Sequence, residues 1–185
     1  VSIKGEKKLD KGNYFQNLFN FDSSKKIILQ YGSINNERYS KEIAMISNDL
    51  PNNFVLVLHG QSNLEYVNKL NDNNNSDKLF ISTELVEPDY ISDLIASAYI
   101  GLSFYNTEDP NSALSGLSSH KLAHYTQCGI PVISNNFQSI NKVMNNIEFG
   151  ICIDSFDYIP TAIKEIDDNY DQFKMAPMII QPFSD

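Results

Sequence analysis

Short, continuous apolar runs alternate along the chain with segments whose apolar residues return every three or four positions. Residues 26–31 (Lys-Ile-Ile-Leu-Gln-Tyr) and 54–59 (Phe-Val-Leu-Val-Leu-His) are two such runs, closed by Gly32 and Gly60, and they read as buried strands. Residues 79–82, 99–104, the stretch from Val132 and residues 151–153 predict four more. Between them, helical spacing predicts a helix over residues 40–48 (Ile43, Ala44 and Ile46 inward) and another over residues 63–70. A third is opened by Pro88, with Tyr90, Ile91, Leu94, Ile95 and Ala98 at helical spacing. Ile140, Val143, Met144 and Ile147 mark a later helix, and Ile159, Ala162, Ile163, Ile166 and Tyr170 a last one. The sharpest unit spans residues 116–133: Ser118 or Ser119 caps a helix carrying Leu122, Ala123 and Tyr125, Cys128-Gly129 ends it, and Pro131 blocks its continuation into the strand at Val132.

Strand followed by helix, six times over, predicts an α/β fold: a single Rossmann-like domain with a six-stranded parallel sheet and helices on both faces. Residues 26–174 form that domain. Residues 1–25 read as a linker or N-terminal arm, in which Tyr14, Phe15, Leu18, Phe19 and Phe21 pack either as a short amphipathic helix or as an arm, and residues 175–185 read as a tail. With the common strand order 3-2-1-4-5-6, the crevice lies between the first and fourth strands, outside their carboxyl ends. The loops there, residues 32–39 and 105–120, bring Arg38 and Lys121 toward one place. The helix start at Ser118 and Ser119, with Lys121 in its first turn, suits an anion such as phosphate. A capped helix with a surface lysine accounts for the same residues.

A chain of 185 residues with 42% hydrophobic residues holds one domain with a real core. A net charge of −9 argues against nucleic acid as a partner, but a local basic pocket can still take a small anion. Two cysteines, Cys128 and Cys152, read as small core residues in a reducing, cytoplasmic setting rather than as a disulfide or metal pair. There is no Gly-x-Gly-x-x-Gly, Walker or Gly-x-Ser-x-Gly motif, and no Asp-x-Asp pair to hold a metal on a diphosphate. His120 and His124 share a helix face without an evident third ligand, so no metal is expected.

Ser118, Lys121, Leu122, Tyr125, Gly129, Pro131, Val132 and Ile133 follow the pattern Ser-x-x-Lys-Leu-x-Glu-Tyr-x-x-x-Gly-x-Pro-Val-Ile, and the stretch resembles the donor-binding segment of GT-B glycosyltransferases of the family 4 type. The resemblance extends over residues 26–170, weakly at first and well over residues 99–133. Residues 31–38 resemble that family's Gly-Arg-x-x-x-Glu-Lys-Gly loop, with Gly32 matching, Ser33 in place of its arginine and Arg38 in place of its lysine. By resemblance, Gly32, Ser33, Arg38, Ser118, Ser119 and Lys121 bind the donor diphosphate. His59, Ser82, Thr83, Tyr105, Asn106 and His124 lie near the ribose, base or sugar. His124 replaces the family glutamate that accepts the ribose hydroxyls, and Gly116 stands where a related motif has another glutamate.

The resemblance implies the C-terminal, donor-binding half of a metal-independent glycosyltransferase. Such an enzyme transfers a sugar from a nucleotide diphosphate, UDP- or GDP-linked, to a glycan or lipid-linked acceptor. No cofactor is implied, and retention of configuration is implied by the family alone. The other Rossmann-like domain, absent from these residues, supplies the acceptor site and any peripheral membrane contact, so this piece alone is expected to be inactive and its catalytic residues are unknown. Two other readings stand beside it: a sugar-nucleotide 2-epimerase-like enzyme, toward which only His124 leans, and a non-catalytic binding or regulatory module, favoured by the missing glutamate and arginine and expected to show a fixed, apolar loop over residues 105–117.

Overall fold

A computed structural model of the chain describes residues 12–106, 120–137, 140–141, 144 and 149–173. The strands are β1 (Lys26–Tyr31), β2 (Phe54–His59), β3 (Leu79–Ser82), β4 (Ile100–Ser103), β5 (Val132–Asn135) and β6 (Gly150–Ile153). They form one six-stranded sheet, all parallel, in the order β3-β2-β1-β4-β5-β6. The helices with described bounds are α1 (Tyr14–Phe19), α2 (Ser40–Ile46), α3 (Leu64–Asp72), α4 (Ile91–Ala96), α5 (His120–Gln127), α6 (Ile159–Asp168) and α7 (Tyr170–Phe173). Ile140, Asn141 and Met144 are also helical, while Val143 and Ile147 of the helix expected there lie outside the described residues.

Alternation along the strands builds two cores. Ile28, Leu56, Leu58, Ile100, Leu102 and Ile133 point to the face covered by α2 and α6, whose Ile43, Ile159, Ile163 and Ile166 are buried there. Ile27, Leu29, Val55, Val57 and Val132 point to the other face, under Phe15 of α1, Leu94 and Ile95 of α4, and Leu122 and Tyr125 of α5. The N-terminal segment takes the helical alternative: Phe15 is fully buried, and Asn20 closes α1 in the left-handed conformation. The helix expected from Pro88 is instead a 3-10 turn, Pro88–Tyr90, leading into α4. With three residues per turn instead of 3.6 the phase slips, and Tyr90 is 60% exposed rather than inward.

One contact sets the placement of α5. Gly101 of β4 has no side chain, and a Cβ there would lie 2.6 Å from the Tyr125 ring. Tyr125 uses that gap to cross β4 and reach β1: its hydroxyl donates to the Leu29 carbonyl at 2.8 Å and accepts from the Tyr31 N–H at 3.2 Å. Gly129, at φ 68, ends the connection after α5 in the left-handed region. Lys121 lies one turn before Tyr125 on the same face, so it is carried toward the carboxyl end of β1.

Candidate donor-binding site

The loops after β1, β2 and β3 are hydrogen-bonded to one another beyond the strands. Gly32 N–H donates to the His59 carbonyl at 2.8 Å, Gly60 N–H to the Ser82 carbonyl at 3.0 Å, and Ile34 N–H to the Gln61 carbonyl at 2.9 Å. Gly32 sits at φ +111, and a Cβ on it would come within 2.5 Å of Lys121 Cε and 2.9 Å of its Nζ. Lys121 therefore lies across the bare backbone of Gly32, having bridged from α5 over β4 to the end of β1. The sequence expectation that Arg38 and Lys121 meet is realised on the ring of Tyr105. The Arg38 guanidinium carbon lies 4.7 Å from the ring centroid and Lys121 Nζ 5.9 Å. No salt bridge among the described residues involves either cation. Burial, with the Arg38 charge added, pushes the Lys121 ammonium down to about 8.

The loop that carries Arg38 is held at several points. Asn35 Oδ1 accepts from the Arg38 N–H at 3.1 Å, and Gln30 Nε2 donates to the Arg38 carbonyl at 2.9 Å. Tyr66 of α3 donates to Asn36 Oδ1 at 2.8 Å. Tyr105 is fixed from β5: Asn135 accepts from its N–H at 3.1 Å and donates to its carbonyl at 2.8 Å. Asn135 is a positioning residue that the sequence reading missed. Its only signal is an amide side chain at the end of a buried strand, and nothing local ties it to a residue thirty positions earlier.

Beside the two cations, a cavity of ≈ 240 Å³ opens over the ends of β1, β2 and β3, sharing Gly32 with the cation site. His59 and Tyr31 line it with nearly parallel rings, 6.3 Å apart, and Thr83, the acidic Glu84, Leu85 and Ile91 are among its other lining residues. His59 is buried, its Nδ1 lies 3.1 Å from Ser82 Oγ, and Phe15 packs on it at 5.4 Å. Burial pushes its imidazole below the ordinary histidine range against the opposing Glu84 charge, so it is a neutral wall.

The residues expected at the site therefore fall into two groups. Arg38 and Lys121 gather on Tyr105, which is buried beneath them, with Gly32 under the Lys121 side chain, while Ser33, His59 and Thr83 line the cavity. Ser82 supports His59 and is not part of the lining. His124 lies on α5 with its ring 6.1 Å from Tyr31, and Asn106 follows Tyr105 half-buried. Ser118, Ser119 and most of the 105–117 loop lie outside the described residues. Among the described residues no group of three or more His, Cys, Asp or Glu could hold a metal, and no helix is long and apolar enough to cross a membrane. Cys128 and Cys152 are unpaired and half-buried, and burial pushes both thiols up to about 11.

The sheet order is that of a Rossmann-like domain, and the fold matches the C-terminal halves of GT-B glycosyltransferases. The fold of WaaG, a glycosyltransferase involved in lipopolysaccharide biosynthesis, matches 93% of this chain with a TM-score of 0.69 and 15% identity, over 46% of its own length. Anabaena HepE, solved with UDP and glucose, matches 89% of this chain at 0.65 and 11% identity, over 44% of its own. The C-terminal domain of the group 1 glycosyl transferase LpcC from Francisella tularensis matches 90% at 0.66 and 14% identity, over 87% of its own. This chain thus spans less than half the length of WaaG and HepE. No curated protein sequence matches it. Residues 43–181 match the family described as glucosyltransferase 3-like, C-terminal domain, and the chain belongs to that family.

Proposed function

We propose that the crevice binds the diphosphate of a nucleotide sugar, and that the chain is the donor-binding half of a metal-independent glycosyltransferase acting on a glycan or lipid-linked acceptor. The observation that carries this reading is the pair Arg38 and Lys121, stacked on one tyrosine with no carboxylate paired to either among the described residues. Two basic groups held on one ring suit a ligand bearing two phosphates, and as cations they offset the charge that develops on a departing nucleoside diphosphate. The adjoining cavity, with its Tyr31 and His59 rings and the apolar Leu85 and Ile91, suits the nucleoside. UDP is the first candidate, because HepE, which shares the fold, was solved with UDP and glucose. The acceptor and the rest of the catalytic site fall to a second Rossmann-like domain. The test is a thermal-shift titration with UDP, GDP, ADP and CMP. One nucleotide is expected to raise the melting temperature, and Lys121→Ala to abolish the rise. No rise with any of them counts against the reading.

A further inference from the structure

We infer that the site takes up a proton together with its ligand, and that Lys121 is the group that receives it. The inference rests on the diphosphate reading above and adds a second equilibrium to it. Lys121 leaves α5, crosses β4 and ends over Gly32, half-buried, with Nζ above Tyr105. The described groups that face it are few. Gly32 offers backbone from the end of β1, Tyr105 offers a ring from the end of β4, and Arg38 offers a positive charge from the loop after β1. Nearby, Tyr31 precedes Gly32 and His124 lies on α5, their rings 6.1 Å apart, and neither supplies an anion at neutral pH. Among the described residues Lys121 forms no salt bridge. The tyrosine face gives a cation a modest attraction, about 0.5–2 kcal/mol, which does not replace a carboxylate.

A lysine so placed is a weaker base than one in water, and its ammonium sits at about 8. A diphosphate entering between Arg38 and Lys121 supplies the missing counter-charge and restores the ammonium to ordinary basicity. Below about pH 7 the lysine is already charged and little proton moves. Above about pH 8 each binding event must first put a proton back, so affinity falls by up to tenfold per pH unit until the bound lysine itself titrates. Arg38 has no such behaviour, since a guanidinium stays charged throughout. The two cations therefore differ in kind: Arg38 is a fixed charge and Lys121 a charge that the ligand completes.

Calorimetric titration of the protein with UDP, then GDP, at about pH 8.3 in two buffers of different ionisation enthalpy counts the proton directly. More than half a proton taken up per nucleotide is expected, with affinity falling about fivefold from about pH 7.5 to 8.75, above the phosphate's own second ionisation. Lys121→Arg, whose charge does not titrate, is expected to bind without proton uptake. Arg38→Gln removes the repelling neighbour and is expected to reduce the uptake. Nucleotide binding by the unaltered protein with no proton uptake overturns the inference while leaving the diphosphate reading intact. Uptake that persists undiminished in both variants overturns the assignment to Lys121. Absence of binding by either nucleotide overturns the diphosphate reading, and the inference with it.

Discussion

Strand β1 has a lysine resting on a tyrosine ring at each end, and the two arrangements differ in one respect. At its start, Lys26 lies 4.8 Å from the centroid of Tyr99 and is ion-paired with Asp167, which also accepts from the Tyr99 hydroxyl at 2.7 Å. Tyr99 in turn stacks on Tyr170 at 3.9 Å, so the cluster ties α6 and α7 to the base of the sheet. At its finish, about 20 Å away by strand geometry, Lys121 lies over Tyr105, and the described charge that acts on it is another cation, Arg38. The first cluster is electrically complete. The second has no negative partner among the described residues, and the proposed binding role of Lys121 rests on that difference, since residue type and ring contact agree.

The comparison can be broken by experiment. Lys121→Ala is expected to weaken nucleotide binding by about 50-fold, since it strips a desolvated charge from the ligand's phosphates. Lys26→Ala is expected to leave that affinity unchanged while lowering stability, as titration calorimetry alongside urea unfolding checks. Gly32→Ala forces a Cβ against Lys121 at φ +111, and is expected to cost about 2 kcal/mol in urea unfolding and to displace the lysine, reducing affinity as well. Tyr125→Phe removes the two hydrogen bonds to β1 and is expected to cost about 1–2 kcal/mol, with a smaller loss of affinity because α5 still packs. Asp167→Asn has the smallest expected effect, about 1 kcal/mol, and a pH signature. Burial alone would raise the Asp167 carboxyl, but the hydrogen bonds from Lys26 and Tyr99 outweigh it and hold the group below its ordinary value. Its contribution is thus present above about pH 4 and is lost as pH falls through the lowered value, so the difference from the variant should vanish in acid.

Most of the fold was legible because continuous apolar runs leave few options. β1, β2 and β3 have the bounds read from the sequence, and the strand order is the expected one. The meeting of Arg38 and Lys121 was legible from that order alone. What the sequence did not carry were contacts between distant residues: Asn135 clamping Tyr105, Tyr125 reaching through the gap at Gly101, and Phe15 packing on His59. Tyr105, expected near the ribose, base or sugar, also supports both cations, a contact the sequence did not carry because a ring's neighbours depend on how three loops converge. The 3-10 turn at Pro88 was illegible for another reason, since proline opens either kind of helix equally well.

The ring of Tyr105 has one more consequence. The chain has ten tyrosines and no tryptophan, so its near-ultraviolet spectrum is dominated by tyrosine. Tyr105 is the ring that carries both Arg38 and Lys121. An anion that draws those charges off its face changes the electric field along the phenol's transition. Occupancy of the site by an anion without ultraviolet absorption of its own, such as inorganic diphosphate, is therefore expected to register in the near-ultraviolet circular dichroism of the protein itself, as a label-free gauge that needs no dye and no coupled assay.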